Sequence, residues 1–274
     1  MRVKVYRPFH IKIHFVGLGT RHAMSMDLLQ VLIYTICCFA AMVTGAIGIG
    51  FPLIATPLLS MVIDVKSAIV LLLIPTLMLT LTNSFKGGPW KKSIALYWPL
   101  VIYGMIGNFL GARLLILVPA ENFKPLLAFA IILYLISGRI GLDFSWVRRK
   151  QQVAMAFFGL VAGLLGGTVN VMLPALVIFS IENKMEKTIT IQVLNSCFLF
   201  GKFIQGAVFL QAGLFTVEVL KLSIPLALVC LATMLMAMRL RNKLSDTVFR
   251  NWLKGLLLII SSILTFQFLV NYSQ

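Results

Sequence analysis

Apolar stretches separated by short polar and basic loops recur along the whole chain. They divide it into eight hydrophobic blocks, at residues 28–63, 67–85, 93–117, 123–140, 152–181, 187–212, 216–238 and 248–270. A helix needs about 20 residues to cross a hydrocarbon core of ~30 Å. Six blocks match one crossing each, whereas the first and the fifth are too long for one straight helix. The pattern predicts an all-α polytopic membrane protein with about 8–10 membrane segments.

The two long blocks are both interrupted by glycines and then a proline. The first contains GAIGIGFP at residues 45–52, and the second contains GLLGGTVN at residues 163–170, followed by Pro174. Because glycine and proline weaken helices, we predict a break in each block, as a kinked span, a re-entrant hairpin or two short spans. The backbone groups that a break frees persist in a membrane only against protein or a water-lined cavity. Two such breaks in corresponding halves of a chain indicate a transport site.

The blocks form two sets of four, which predicts an internal duplication. Pro99 lies near the start of the third block, for example, and Pro225 falls at the matching place in the seventh. We predict a first transmembrane repeat at residues 27–143 and a second at 144–274, preceded by a basic cytoplasmic extension at 1–26. The alternative is a helical bundle that duplicated without forming a pathway.

Composition and charge narrow the classes of function. The chain of 274 residues is 60% hydrophobic, which excludes a soluble domain. Its net charge of +16 lies mainly in the loops, where Lys and Arg set orientation and meet anionic headgroups, so we predict a lipid bilayer and no nucleic acid as partner. The four cysteines lack metal-ligand spacing and the three histidines precede the first block. We therefore predict no metal, no cofactor and no enzymatic activity, since an intramembrane enzyme needs a nucleophile–base pair or a metal.

The basic loops also bear on topology. If each block crosses once, the basic stretches at 1–26, 86–92 and 139–150 fall on one side, which the positive-inside rule places in the cytoplasm. The same count places the basic stretch at 239–250 outside, which is a conflict. Two short crossings in the fifth block remove the conflict. That reading gives nine crossings and a second repeat inverted relative to the first.

Polar side chains deep in the blocks are amides, hydroxyls and one lysine, whereas the acidic residues lie at block ends or in loops. This distribution argues against a cation pathway. In the sixth block the deep polar residues share one helical face: Gln192, Asn195, Lys202 and Gln205. Lys202 lies ~15 Å of helix rise from the turn at Gly213, and a charge at that depth indicates function. The alternatives for Lys202 are snorkelling and support of a neighbouring helix.

These groups favour a small anion as the substrate. A half-helix that begins at a break presents free N–H groups and the positive end of its dipole. Glycine lets the backbone approach a ligand closely, and Asn170 adds a side-chain donor within the second break. Asn83 and neighbouring threonines form a matching polar face in the second block, for which helix–helix hydrogen bonding is the alternative.

Together, the motifs resemble the TauE/SafE sulfite-exporter family, also called the toluene-sulfonate uptake permease family. The likeness rests on GAIGIGFP at 45–52, TPLL at 56–59, KSA at 66–68 and GLVAGLLGG at 159–167, and it covers nearly all of residues 28–270. The resemblance implies a cytoplasmic-membrane permease for sulfite, sulfonates and related sulfur-containing anions. The chain departs from the family's glycine-rich pattern at Phe51 and Pro52 and at residues 168–170.

We therefore predict a secondary transporter of a small anion, working by alternating access between the two repeats. The predicted substrate-binding residues are Gly48, Gly50, Pro52, Asn83, Gly166, Gly167, Thr168, Asn170, Gln192, Asn195, Lys202 and Gln205. The alternatives are a transporter of another small organic anion and a membrane scaffold subunit that transports nothing. The oligomeric state is open, with a homo-oligomer among the options.

Overall fold

The computed structural model describes residues 26–85, 90–137 and 145–240, and this part of the chain is helical without strands. The helices are α1 Met26–Ile47, α2 Phe51–Ser60, α3 Val65–Leu71, α4 Leu73–Phe85, α5 Trp90–Leu117, α6 Phe123–Ser137, α7 Ser145–Arg149, α8 Gln151–Val169, α9 Leu173–Glu182, α10 Lys187–Gln211 and α11 Val217–Leu240. The predicted all-α polytopic fold is confirmed for these residues. The eighth hydrophobic block and nearly all of the basic extension at 1–26 lie outside them.

Five of the described helices are long and apolar enough to cross a membrane: α1, α5, α8, α10 and α11. The pair α3 and α4 adds a sixth candidate, bent by 49°. Helices α2 and α9 have 10 residues each and cover only ~15 Å, so we call them half-helices. The fifth block is therefore one full-length helix followed by a half-helix, rather than two short crossings. The sidedness of the loops stays a prediction.

Helix bounds around the two breaks have the same spacing. The half-helices begin at Phe51 and Leu173, and the helices after them begin at Val65 and Lys187, so both pairs of starts lie 122 residues apart (173 − 51 and 187 − 65). Each half-helix has a proline at its second position. Proline suits the first turn of a helix because its missing N–H has no intrahelical partner there. This spacing agrees with the proposed duplication, which stays a prediction.

A row of glycines brings the backbones of α5 and α8 into contact. A Cβ atom at Gly163 would lie 2.1 Å from the carbonyl oxygen of Gly104, and one at Gly107 would lie 2.3 Å from that of Leu160. Helix pairs in lipid associate through such close packing, because the lipid tails are as apolar as the side chains. The α5–α8 pair therefore forms a tightly packed base against which α10 lies.

The bend between α3 and α4 has a chemical cause in Pro75. Proline has no N–H for the carbonyl four residues earlier, which is that of Leu71. The buried hydroxyl of Ser223 on α11 donates to this carbonyl instead, at 2.8 Å. A neighbouring helix thus satisfies the backbone group that the bend frees, as hydrocarbon requires.

Candidate functional site

The first break lies between α1 and α2 and is made by two glycines in a backbone conformation that other residues rarely adopt. Gly48 has φ of 96° and Gly50 has φ of 112°. With no Cβ, glycine takes such angles without steric strain. Helix α1 ends at Ile47, and α2 begins at Phe51 followed by Pro52. The predicted break is therefore present, with the carbonyl group of Gly48 released from regular helix pairing.

The second break uses an asparagine where the first uses glycine. Asn170 ends α8 in the left-handed conformation, with φ of 65° and ψ of 21°, which asparagine tolerates better than most residues. Its side-chain Nδ2 donates to the Thr56 hydroxyl on α2 at 2.9 Å. The side-chain Oδ1 of Asn170 is buried without a hydrogen-bond partner in the described structure. One residue thus ends a helix and links the second break to the half-helix of the first.

The polar face of α10 contacts both breaks. Asn195 Nδ2 donates to the Gly48 carbonyl oxygen at 2.9 Å, and also to Ile191 O within α10 at 2.8 Å. Further along the same helix, Gln205 Nε2 donates to the Gly167 carbonyl oxygen at 3.1 Å. One helix therefore bridges two breaks that are more than 100 residues apart in sequence.

Lys202 lies on this face between the two bridging amides and is fully buried. Its ammonium group donates to Gln205 Oε1, and no carboxylate of the described residues lies beside it. A buried charge without an opposite charge is unfavourable by several kcal/mol, roughly, in a protein interior. Because the side chain does not reach the protein surface, snorkelling does not explain Lys202. The alternative that Lys202 supports a neighbouring helix applies in part, since its hydrogen-bond partner Gln205 also bonds to α8.

Two other predicted site residues make their contacts away from the breaks. Gln192 accepts from the Ser93 hydroxyl on α5 at 2.7 Å, and its Nε2 is buried without a partner in the described structure. Asn83 on α4 lies against the sulfur of Met234 on α11, with 3.6 Å between Nδ2 and Sδ. The geometry joins neither of them directly to the two breaks, and a role in substrate binding stays a prediction for both.

The glycines and threonine at the end of α8 have structural reasons for their identity. A Cβ atom at Gly166 would lie 2.4 Å from the side chain of Met172, and one at Gly167 would lie 2.4 Å from the Asn108 carbonyl oxygen. Thr168 donates to the Leu164 carbonyl in its own helix at 2.7 Å. Close packing therefore accounts for the two glycines, and a hydrogen bond within α8 satisfies the Thr168 hydroxyl. Contact of these residues with substrate stays a prediction.

Asn108 on α5 is a buried polar residue that the sequence reasoning missed. Neither its Nδ2 nor its Oδ1 has a hydrogen-bond partner in the described structure, and its side chain is fully buried. The signal was available, because Asn108 is the one amide residue in the apolar run of the third block. Thr56 and Ser93, which pair with predicted residues, were missed for the opposite reason. Hydroxyls are common in membrane helices and carry little positional information.

The described residues contain no cluster of three or more metal-ligating side chains. What they do contain is a buried cation, several amides and two helix breaks, which can offer hydrogen-bond donors and positive charge to a small anion. No curated protein and no solved structure gives a significant match to the chain. A family profile does: the one described as "Sulfite exporter TauE/SafE" matches residues 33–264, which is most of the chain. The protein therefore belongs to the TauE/SafE family, whose members are multi-pass membrane transporters of sulfur-containing anions rather than enzymes.

Proposed function

We propose that the protein is a secondary transporter of sulfite or an organosulfonate in the cytoplasmic membrane, and that it works by alternating access. The observation that carries the proposal is the position of Lys202. It is buried on α10, which bridges both breaks, with amide groups on either side along the helix. The substrate would bind beside Lys202, near the middle of the membrane, as in other transporters with broken helices.

Charge supports an anionic substrate over a cationic or neutral one. The ammonium of Lys202 has an uncharged partner in the described structure, so a bound anion would supply the missing opposite charge. The amides of Asn195 and Gln205 supply directional donors close by. Sulfite and sulfonates carry several acceptor oxygens on one sulfur atom, so they can accept from an ammonium and an amide together.

Transport by alternating access requires contacts that can open and re-form. Three side-chain hydrogen bonds of the described residues link the breaks to other helices: Asn195 to Gly48, Gln205 to Gly167, and Asn170 to Thr56. Each is neutral, and a bond of this kind contributes about 0.5–1.5 kcal/mol net. Rearrangement at either break is therefore accessible when a bound anion offers replacement contacts. An interior-negative membrane favours export of the anion.

The test is flux into proteoliposomes of labelled sulfite, taurine and sulfate. The wild-type protein is expected to transport at least one of the first two, and Lys202→Ala is expected to reduce that flux about tenfold or more, because a hydrogen bond to a charged group contributes about 1.5–3 kcal/mol. Lys221→Ala is the matched control, since Lys221 is exposed on α11. Asn195→Ala tests the amide at the first break in the same way.

The outcomes separate the candidate functions. Absence of flux for every sulfur anion in the wild-type protein would count against the proposal, and flux of a sulfur-free organic anion alone would favour the broader anion transporter. Unchanged flux in Lys202→Ala would remove that residue from the site. A scaffold subunit would show neither flux nor anion binding, although α10 would still hold the two breaks.

A further inference from the structure

The Asn108 side chain lies where α5, α8 and α10 meet. A Cβ atom at Gly166 on α8 would lie 3.1 Å from Asn108 Nδ2, and one at Gly201 on α10 would lie 2.9 Å from the same atom. The amide thus occupies room that two glycines leave free. Gly201 precedes Lys202 in sequence, and Gly166 precedes Gly167, whose carbonyl oxygen accepts from Gln205. Asn108 is therefore adjacent to the segment that carries the buried cation.

The Asn108 carboxamide lacks hydrogen-bond partners for both its donor and its acceptor among the described residues. Both polar atoms are buried and have no partner in the described structure. Leaving a buried amide unsatisfied is unfavourable, and buried polar side chains in folded proteins nearly always have a partner. The groups that would complete Asn108 are not supplied by the described residues, and a molecule that binds beside it can supply them.

The neighbouring amides differ from Asn108 in this respect. Asn195 Nδ2 already donates to two backbone carbonyls, which uses both of its hydrogens, and Gln205 Nε2 already donates to one. Gln192 Nε2 is also unpartnered, but ten residues separate Gln192 from Lys202, which is ~15 Å along α10. Asn108 combines a donor that has no partner among the described residues with a position against Gly201, the residue before the buried cation.

We propose that Asn108 is a substrate-contacting residue of the transport site, whose carboxamide donates a hydrogen bond to an oxygen of the anion that Lys202 attracts. The inference rests on the proposed function and adds to it a residue from α5. The substrate oxygen accepts from Nδ2, while Oδ1 accepts from a hydroxyl group or a water that enters with the anion. Lys202 then supplies the positive charge that attracts the anion, and Asn108 supplies a directional hydrogen bond that orients it.

The experiment compares Asn108→Leu and Asn108→Asp with the wild-type protein in proteoliposomes. The probe is labelled sulfite or labelled taurine, whichever the wild-type protein transports faster. Leucine keeps the branching and the number of side-chain heavy atoms and removes both polar atoms, and aspartate keeps the shape but replaces the donor with a negative charge. Both variants are expected to raise the half-saturation concentration about 10- to 100-fold, since each loses a hydrogen bond to a charged group.

Thermal unfolding in detergent distinguishes substrate contact from a structural role. Removing an unsatisfied buried amide is neutral or stabilising, so Asn108→Leu is expected to keep or raise the Tm in the absence of substrate. Added probe anion is expected to raise the Tm of the wild-type protein and not that of Asn108→Leu. Leu100→Ala is the control on the same helix, where a buried side chain is truncated; it is expected to lower the Tm without changing the half-saturation concentration.

The outcomes keep this inference separate from the proposed function. If the wild-type protein transports the probe and both variants keep its half-saturation concentration, the role of Asn108 is overturned and the transporter proposal stands. A loss of Tm in Asn108→Leu without any change in half-saturation would also overturn it, because it would show a purely structural amide. If the wild-type protein transports neither probe, the proposed function fails and this inference fails with it.

Discussion

Substituting alanine for Gly163 tests whether backbone contact between α5 and α8 holds the protein together. The new Cβ atom would lie 2.1 Å from the carbonyl oxygen of Gly104 and 2.7 Å from the backbone nitrogen of Asn108. Carbon–oxygen contacts between helices normally lie at about 3.3–3.6 Å, so the added methyl carbon would lie more than ~1 Å too close to the oxygen. The atoms that it meets belong to the backbone, and they cannot rotate away as a side chain does.

The expected loss of stability follows from the gap that the helices must open. Separating packed surfaces by 0.5–1 Å forfeits about a quarter to a half of their dispersion energy. Overpacking in cores is unfavourable by about 1–3 kcal/mol, and we expect Gly163→Ala to reach or exceed the upper end of that range because backbone must move. The higher helix propensity of alanine offers little compensation, since separated membrane helices stay helical.

Gly104→Ala is the matched control on the facing helix. A Cβ atom there would meet its nearest neighbours at 3.8 and 3.9 Å, which is ordinary van der Waals contact. Unfolding in detergent, followed by Tm or by titration with a denaturing detergent, is expected to show near wild-type stability for Gly104→Ala and a large loss for Gly163→Ala. Equal stability of the two variants would refute the claim that close backbone contact governs this pair.

Three further predictions concern the second break, the α3–α4 bend and the end of α5, and unfolding in detergent measures each. Asn170→Gly and Asn170→Ala both lose the side-chain hydrogen bond. The alanine variant is expected to be less stable than the glycine variant by about 1–2 kcal/mol, because only alanine is strained at φ of 65°. Equal stability of the two variants would argue against backbone strain there. Ser223→Ala is expected to lower the free energy of unfolding by about 1–3 kcal/mol, because it leaves the carbonyl at the α3–α4 bend unsatisfied. Thr233→Ala is the control and is expected to stay close to wild type, because the Thr233 hydroxyl bonds within its own helix. Lys66→Met is expected to be destabilised by roughly 1–2 kcal/mol, because its ammonium donates to two carbonyls at the end of α5; unchanged stability would show that these bonds at 3.2 and 3.4 Å contribute nothing.

Much of the fold was predictable because its determinants are local in sequence. Runs of apolar residues give the helices, and glycines followed by proline give the two breaks, since these residues act on the backbone at their own positions. The polar face of α10 was also predictable, because helical spacing places Gln192, Asn195, Lys202 and Gln205 on one side whatever surrounds them. What spacing does not give is the partner of each residue across the bundle.

The remainder depends on contacts between segments distant in sequence. Gly167 packs closely against α5, which depends on the helix that lies beside it, and the expected approach of the α8 glycines to a ligand stays a prediction. Sequence does not give the bond from the Asn170 amide to Thr56, which lies in a half-helix 114 residues away, and donation from Asn170 to a substrate stays a prediction. Asn108 stands out in sequence as the one amide in the third block, but its lack of partners is visible only when three helices are in place.

The bridge that α10 makes between the breaks has a mechanical consequence. Asn195 and Gln205 are ten residues apart, so the two bridging bonds are held ~15 Å from each other along one continuous helix. A rotation of about 10° around the midpoint would displace each end by about 1.3 Å, in opposite directions, on a lever of ~7.5 Å. Where it lies along the bond, that displacement takes a bond of 2.9 or 3.1 Å past hydrogen-bonding distance. Because one continuous helix holds both bonds, a movement of α10 that breaks one of them also displaces the group that makes the other.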